Sequence, residues 1–541
     1  MAKQQVSQKY IFKLHTDRLK KAKWDLKLTL AEARRNDEII SIGDSQVLRW
    51  IDEINGIEST EEMVRDIRRQ IKCMRREENT VYNRKQIKAL YAELDGVQFK
   101  PDYMHLVVDS NKDYLKACRG FKINGVKYVR LVGTSGGVKM STVVFVSERV
   151  AGILRRRIEN GRNHEVPLVP AKLEAYRALA CSGSIPVSMP RGILVVPDCV
   201  THFQEDVLYL TDENDGEPEM RLWKDFDVEL TESDGYGLMS PALAERWSEE
   251  LRLGYTMSAA NTRFSYEKGC VFTFDFHEFA DRVAGTRVVK DVWGIEVDIE
   301  NVELVLTASM LKLWNCYESL EHYLKCCEEN HYTFGIAKTA PKELENRRAL
   351  NYQFIQSYNL TDAQIDELIR PTVDDIRDVL AGDYRKAILF MAGVNLDDEK
   401  VLRQTEIVKA VMACPEIYHD PFVRQKIKRA IKKKIDDAKI GVLDVHGNYS
   451  ILCGDPYALC QSIFGLEVTG LLKAGELYNK YWEDIGSTEV AVFRAPMSTH
   501  ENIKKMRVAS DEEVRHWYKY ITTCTMLNAW DLTTAALNGA D

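Results

Sequence analysis

Helical periodicity over residues 318–439, held between two β-rich stretches, restricts the fold of this chain more than any other feature. Within that tract apolar residues recur three and four apart, as on one face of a helix. Residues 225–314 before it are β-rich with short helices. Residues 441–541 after it turn β-rich again around Val490-Ala491-Val492-Phe493. The layout is a β-rich unit, a helical connector and a second β-rich unit, behind a large N-terminal extension. The class this predicts is α+β.

Domain boundaries follow from the same periodicities. A helical N-terminal region takes residues 1–100 and a mixed α/β domain residues 101–224. The first β-rich unit takes 225–317, the connector 318–440 and the second unit 441–541. In the first region Ser59-Thr60-Glu61-Glu62 is a helix-start signal. Met63, Ile67, Ile71 and Met74 follow at helical spacing, and Asp95-Gly96 is the expected stop. Strands are expected at Tyr103-Met104-His105-Leu106-Val107-Val108 and Thr142-Val143-Val144-Phe145-Val146. A basic helical stretch spans 148–180, strands return over 192–210, and an acidic turn occupies 212–219.

Composition excludes several classes. The chain has 541 residues, 45% hydrophobic and 29% charged, as in a soluble globular protein of several domains or one large multi-part core. A net charge of -8 neither advertises nucleic-acid binding nor excludes a basic channel inside an acidic protein. The 12 Cys include no Cys-x-x-Cys pair, and no apolar run reaches membrane-spanning length. With no signal peptide, reduced thiols in a cytoplasmic protein are expected.

Chemistry is suggested by five short segments. Asp234-Gly235-Tyr236-Gly237-Leu238-Met239-Ser240-Pro241 is a strand-to-helix turn, with Ser240 fit to cap and Pro241 fit to open the helix. Asn261-Thr262-Arg263-Phe264-Ser265-Tyr266-Glu267-Lys268-Gly269 places two cations five residues apart. Ala308-Ser309-Met310-Leu311-Lys312-Leu313-Trp314 adds a third, Lys312. Arg494-Ala495-Pro496 leads to His500, and the last residues are Asn538-Gly539-Ala540-Asp541. Read singly, each lysine is a solvated residue and Asp541 a turn residue.

Taken in order, these segments resemble the eukaryotic-type, RNA-silencing-like family of RNA-dependent RNA polymerases, within the two-barrel RNA polymerase superfamily. The Asp-Gly-x-Gly-x-x-Ser turn, the Arg-to-Lys-Gly spacing, the Ser-x-x-Lys element and the Arg-Ala-Pro loop match the family's motifs. Ala308 stands where the family has Pro. The style is similar to bacterial or phage members. The resemblance implies two double-psi β-barrels joined by the helical connector, with a mixed helical/β N-terminal extension. It implies that Lys268, Lys312 and Arg263 serve as catalytic cations at the nucleotide phosphates. Arg494 would read the ribose of the incoming nucleotide; His500 matches the family's His, although bracing the loop is the simpler role for it. Asp541 would be the first of three aspartates holding Mg²⁺, the other two expected after it, so that the 541-residue chain alone would be inactive. Gly454-Asp455-Pro456-Tyr457 would be a structural turn leading into the second barrel. Gly133-Thr134-Ser135-Gly136-Gly137-Val138-Lys139 lacks P-loop spacing, which leaves a loop beside bound nucleic acid or an ordinary hairpin.

One further segment bears on partners. Val423, Ile427, Ile431 and Ile435 recur every four residues, opposite Lys428, Lys432 and Lys433. This helix has a basic face that would contact nucleic-acid phosphates in a polymerase and be merely solvated otherwise. The expected activity is template-directed RNA synthesis from ribonucleoside triphosphates on single-stranded RNA, with RNA product and no membrane. The alternatives are a DNA-dependent phage polymerase of the same fold, or a non-catalytic nucleic-acid-binding relative. A helical interaction scaffold is disfavoured by the ordered motifs.

Overall fold

The computed structural model describes residues 8–57, 60–77, 79–133, 141–211, 218–392, 406–497 and 499–537. The chain divides into two compact units. One comprises residues 1–199, 233–339 and 462–466, the other 200–232, 340–461 and 467–541. The fold is mixed α/β. Among the described residues no helix is long and apolar enough to cross a membrane.

The N-terminal region departs from the helical expectation. Lys9–His15 is a strand, and with Ile39–Ile42 and Phe99–Val107 it joins a seven-stranded sheet. Both faces of this strand are packed, Ile11 in one apolar cluster and Phe12 with Leu14 in another. The single helix expected from Ser59 is two helices, Thr60–Met74 and Val81–Gln98. Thr80 accepts the Asn83 N–H and starts the second, which runs through the expected stop at Gly96. Val64, Ile67 and Ile71 pack on Leu94, while Met63 is exposed. Ser59, most of the acidic turn and the glycine-rich loop after Gly133 lie outside the described residues.

The first unit also holds a second seven-stranded sheet. Ile193–Val196 runs parallel to Leu304–Thr307, which is antiparallel to Tyr236–Met239. Tyr236–Met239 runs parallel to Lys268–Thr273, which forms a hairpin with Ala259–Arg263. Gly335–Thr339 and Ile185–Pro186 extend the hairpin edge. That strand corrects the wholly helical reading of residues 318–439. After the helix Leu320–Glu329 the chain returns to the sheet because Phe334 and Ile336 belong to its core. A short strand, Arg347–Ala349, follows before the helices begin in earnest.

The second unit repeats that order in five strands. Ile451–Cys453 is parallel to Cys524–Leu527, which is antiparallel to Glu476–Tyr478. Glu476–Tyr478 is parallel to Ile503–Val508, which forms a hairpin with Glu489–Phe493. The order along the chain, the order in the sheet and the sense of every pairing are the same in both. After the second strand of each set a capped helix starts. Ser240 accepts the Leu243 N–H ahead of Pro241–Glu250, and Asn479 accepts the Tyr481 N–H ahead of Lys480–Asp484. Where two double-psi β-barrels are expected, the hydrogen-bonded sheets are one of seven strands and one of five.

Candidate active site

In the first unit, three cations are fixed by one piece of backbone. Arg263 ends one strand of the hairpin and Lys268 begins the next, in register with each other. The turn between them is stitched to the segment after Leu304–Thr307. The Lys268 N–H donates to the Met310 carbonyl at 3.1 Å, and the Lys312 N–H to the Tyr266 carbonyl at 3.2 Å. Glu267 and Leu311 form an antiparallel bridge between these bonds. Lys268 is exposed, while Arg263 and Lys312 are half-buried. Burial lowers the Arg263 pKa from its ordinary value, and its Nη1 donates to the Thr262 carbonyl at 2.5 Å.

The motif glycines serve this stitching. A Cβ on Gly237 would come within 2.2 Å of the Val305 carbonyl, and one on Gly269 within 2.4 Å of Met310 Cε. The Gly235 N–H donates to Ser309 Oγ at 2.9 Å. Ser309 in turn donates from its N–H and its hydroxyl to Asp198, at 2.9 and 2.5 Å. Asp198, which no sequence motif marked, ties the Asp-Gly turn to the segment bearing Lys312. Burial raises its pKa.

A second residue missed from sequence is Glu267. It is fully buried, and burial pushes its carboxyl up to about 7. The Thr262 hydroxyl donates to Oε1 at 2.6 Å, while Oε2 has no hydrogen-bond partner among the described residues. A lone Glu in a polar turn reads as solvated, so periodicity could not flag it.

In the second unit, Arg494 directly follows Glu489–Phe493, at the position where the first sheet's hairpin turn starts. Its Nη1 donates to the Leu537 carbonyl at 3.3 Å, and Asn502 Nδ2 donates to the Ala536 carbonyl at 2.6 Å. The Arg-Ala-Pro loop is therefore held against the residues just before 538–541. Asp541 itself lies outside the described residues. The loop is braced by Gln353, whose side chain bonds both the N–H and the carbonyl of Met497, and by Phe354 against Phe493. His500 is largely exposed, pairs with neighbouring Glu501 at 2.9 Å and lies with its ring 6.5 Å from that of Tyr358. Among the described residues no group of three His, Cys, Asp or Glu side chains could hold a metal ion. The magnesium assignment rests on Asp541.

Asp455 is a hub of this unit. It is fully buried, and burial raises its pKa. Oδ1 accepts from the Tyr457 and Ala458 N–H groups and from the Tyr518 hydroxyl at 2.5 Å, capping the helix Pro456–Ile463. Oδ2 accepts from the N–H groups of Leu471 and Leu472. The turn at Gly454 is structural, as its sequence suggested.

The basic helix is Pro421–Lys439, capped by Asp420. Val423, Ile427 and Ile431 are buried among Val379, Val408 and Val411. Ile435 is 39% exposed, so the apolar stripe ends a turn earlier than its spacing implied. Lys428, Lys432 and Lys433 are exposed, whereas Lys434 pairs with Asp444.

The sequence profile of the RNA dependent RNA polymerase family matches residues 65–522. The chain belongs to that family. It is 25% identical over 413 residues to the DNA-directed RNA polymerase YonO of Bacillus phage SPbeta, covering 74% of this chain and 46% of that protein. Among solved structures it resembles the RNA dependent RNA polymerase QDE-1 from Thielavia terrestris, with a TM-score of 0.53 and 14% identity. That alignment covers 81% of this chain and 48% of the other. The chain thus spans about half the length of each of these proteins.

Proposed function

We propose that this chain serves template-directed RNA synthesis from ribonucleoside triphosphates, and that its two like-ordered sheets are double-psi β-barrels. The carrying observation is the stitched hairpin, which holds Arg263, Lys268 and Lys312 on one local frame. Phosphoryl transfer builds charge on the triphosphate oxygens as a 3′ hydroxyl attacks the α-phosphorus and pyrophosphate leaves, and fixed cations stabilise it. Those three residues bind the phosphates in this reading. Arg494 contacts the ribose, because a planar guanidinium offers several donors to vicinal hydroxyls. Asp541 supplies a hard oxygen ligand for Mg²⁺, which when bound neutralises phosphate charge. The exposed Lys428, Lys432 and Lys433 contact nucleic-acid phosphates without reading sequence.

An RNA template is favoured by the family, and the phage relative's name supports a DNA template as the second reading. Primer-free synthesis on single-stranded RNA and DNA of matched sequence, by the protein as its gene encodes it, tests both. Product on RNA alone supports the first reading and product on DNA alone the second. No template-dependent product on either rejects the function.

A further inference from the structure

A site that binds a triphosphate must also release pyrophosphate, so three fixed cations need a counterweight. Glu267 has the placement for one. Its backbone lies between the two bonds that fix Lys268 and Lys312. Its carboxyl is sealed from solvent, with one oxygen held by Thr262 and the other unpartnered among the described residues. The charged groups facing it are Arg263 from its own hairpin and Lys312 from the stitched segment. Cys270 on the strand that follows Glu267 and Tyr323 from the helix Leu320–Glu329 also feel it, but burial raises both pKa values, so these stay neutral.

We infer that Glu267 is a proton-linked counter-charge that sets how tightly the Arg263, Lys268 and Lys312 cluster holds a polyphosphate. Ionised, it opposes the incoming anion; protonated, it leaves the cations' full charge. By linkage, a polyanion bound to those cations makes Glu267 a weaker acid and draws a proton onto it. With the carboxyl at about 7, that exchange falls in the physiological range. The inference rests on the phosphate-binding reading above.

The test is binding of inorganic tripolyphosphate to the full chain by calorimetry from pH 6 to pH 9, for wild type, Glu267→Gln and Lys268→Ala. The anion's own ionisation is common to all three proteins. Wild-type affinity should fall by about tenfold relative to Glu267→Gln as pH rises, the two coinciding at pH 6. Infrared difference spectra of the wild type guard against a variant that fails to fold. Added tripolyphosphate at pH 7.5 should increase the band of a protonated carboxyl. Parallel pH curves, or no such band, overturn the counter-charge and leave the phosphate site standing. Binding that is absent, or unchanged in Lys268→Ala, overturns both.

Discussion

The two sheets share a strand order yet carry different charged residues on corresponding connections. In the first, the hairpin turn is four residues, 264–267, between two cations. In the second it is nine residues, 494–502, opening with Arg494. The connection after the last strand of the set carries Lys312 in the first unit and leads to Asp541 in the second. Their interiors differ as well. Around the first sheet Trp247, Phe264, Phe334 and Tyr323 form a broad aromatic core. The second has a small cluster of Leu477, Met506, Leu527 and Leu537, with Asp455 binding three segments of chain beside it. One topology can thus be stabilised by apolar packing or by a buried polar hub, and its loops set the chemistry independently.

The sharpest way to break this contrast is at the hub. Asp455→Ala strands four N–H groups, two of them buried, and the buried Tyr518 hydroxyl, and should cost the second unit about 3–5 kcal/mol in chemical denaturation. A loss below about 1 kcal/mol would mean that the small apolar cluster suffices.

The first unit's counterpart is pH. Glu267 is held at about 7 in the folded chain against an ordinary 4.5, so ionising it costs folding energy. Its protonated form favours folding fully below 4.5, and that advantage is lost as pH rises to 7. Glu267→Gln should therefore stabilise the chain above pH 8 by up to roughly 3 kcal/mol and change little at pH 4.5. Equal stabilisation at both pH values would refute a raised carboxyl.

Much of this contrast was legible in sequence, and the reason differs by residue. Arg263, Lys268, Lys312 and Arg494 could be singled out only because the segments that bear them, taken in order, resemble the motifs of the polymerase family. Glu267, Asp198 and Asp455 owe their roles to burial and to partners distant in sequence, which periodicity does not register. Lys9–His15 is a strand where a helical region is expected, and a run this short does not separate the two by periodicity alone. Gly335–Thr339 was hidden inside a helical tract for want of a tertiary view of Phe334 and Ile336.

Sugar selection separates the two loops more finely. Arg494→Ala should lower the preference for ribonucleotides over deoxyribonucleotides by roughly tenfold to a hundredfold, the worth of one charged hydrogen bond. Lys268→Ala should leave that ratio unchanged. Competition assays with matched triphosphates read it, and an unaltered ratio in Arg494→Ala removes the ribose role.

The smallest effect is expected outside both sheets. Reversing Lys428, Lys432 and Lys433 to Glu should weaken single-stranded RNA binding for every sequence alike. It should also flatten the log-log salt dependence by about 0.7 per lost contact. The buried stripe of Val423, Ile427 and Ile431 keeps the helix folded. An unaltered slope makes that face a solvated one.

The central claim is the proposal that Lys268 of the first sheet and Arg494 beside the second both serve nucleotide incorporation. Its most direct test is template-dependent incorporation by the protein as its gene encodes it, with Lys268→Ala and Arg494→Ala alongside. Each variant should retain its fold and template affinity, yet incorporate about a hundred- to a thousandfold more slowly, as for loss of one preorganised charge contact worth about 2–4 kcal/mol. Template-dependent incorporation that proceeds at the wild-type rate in either variant would contradict the account.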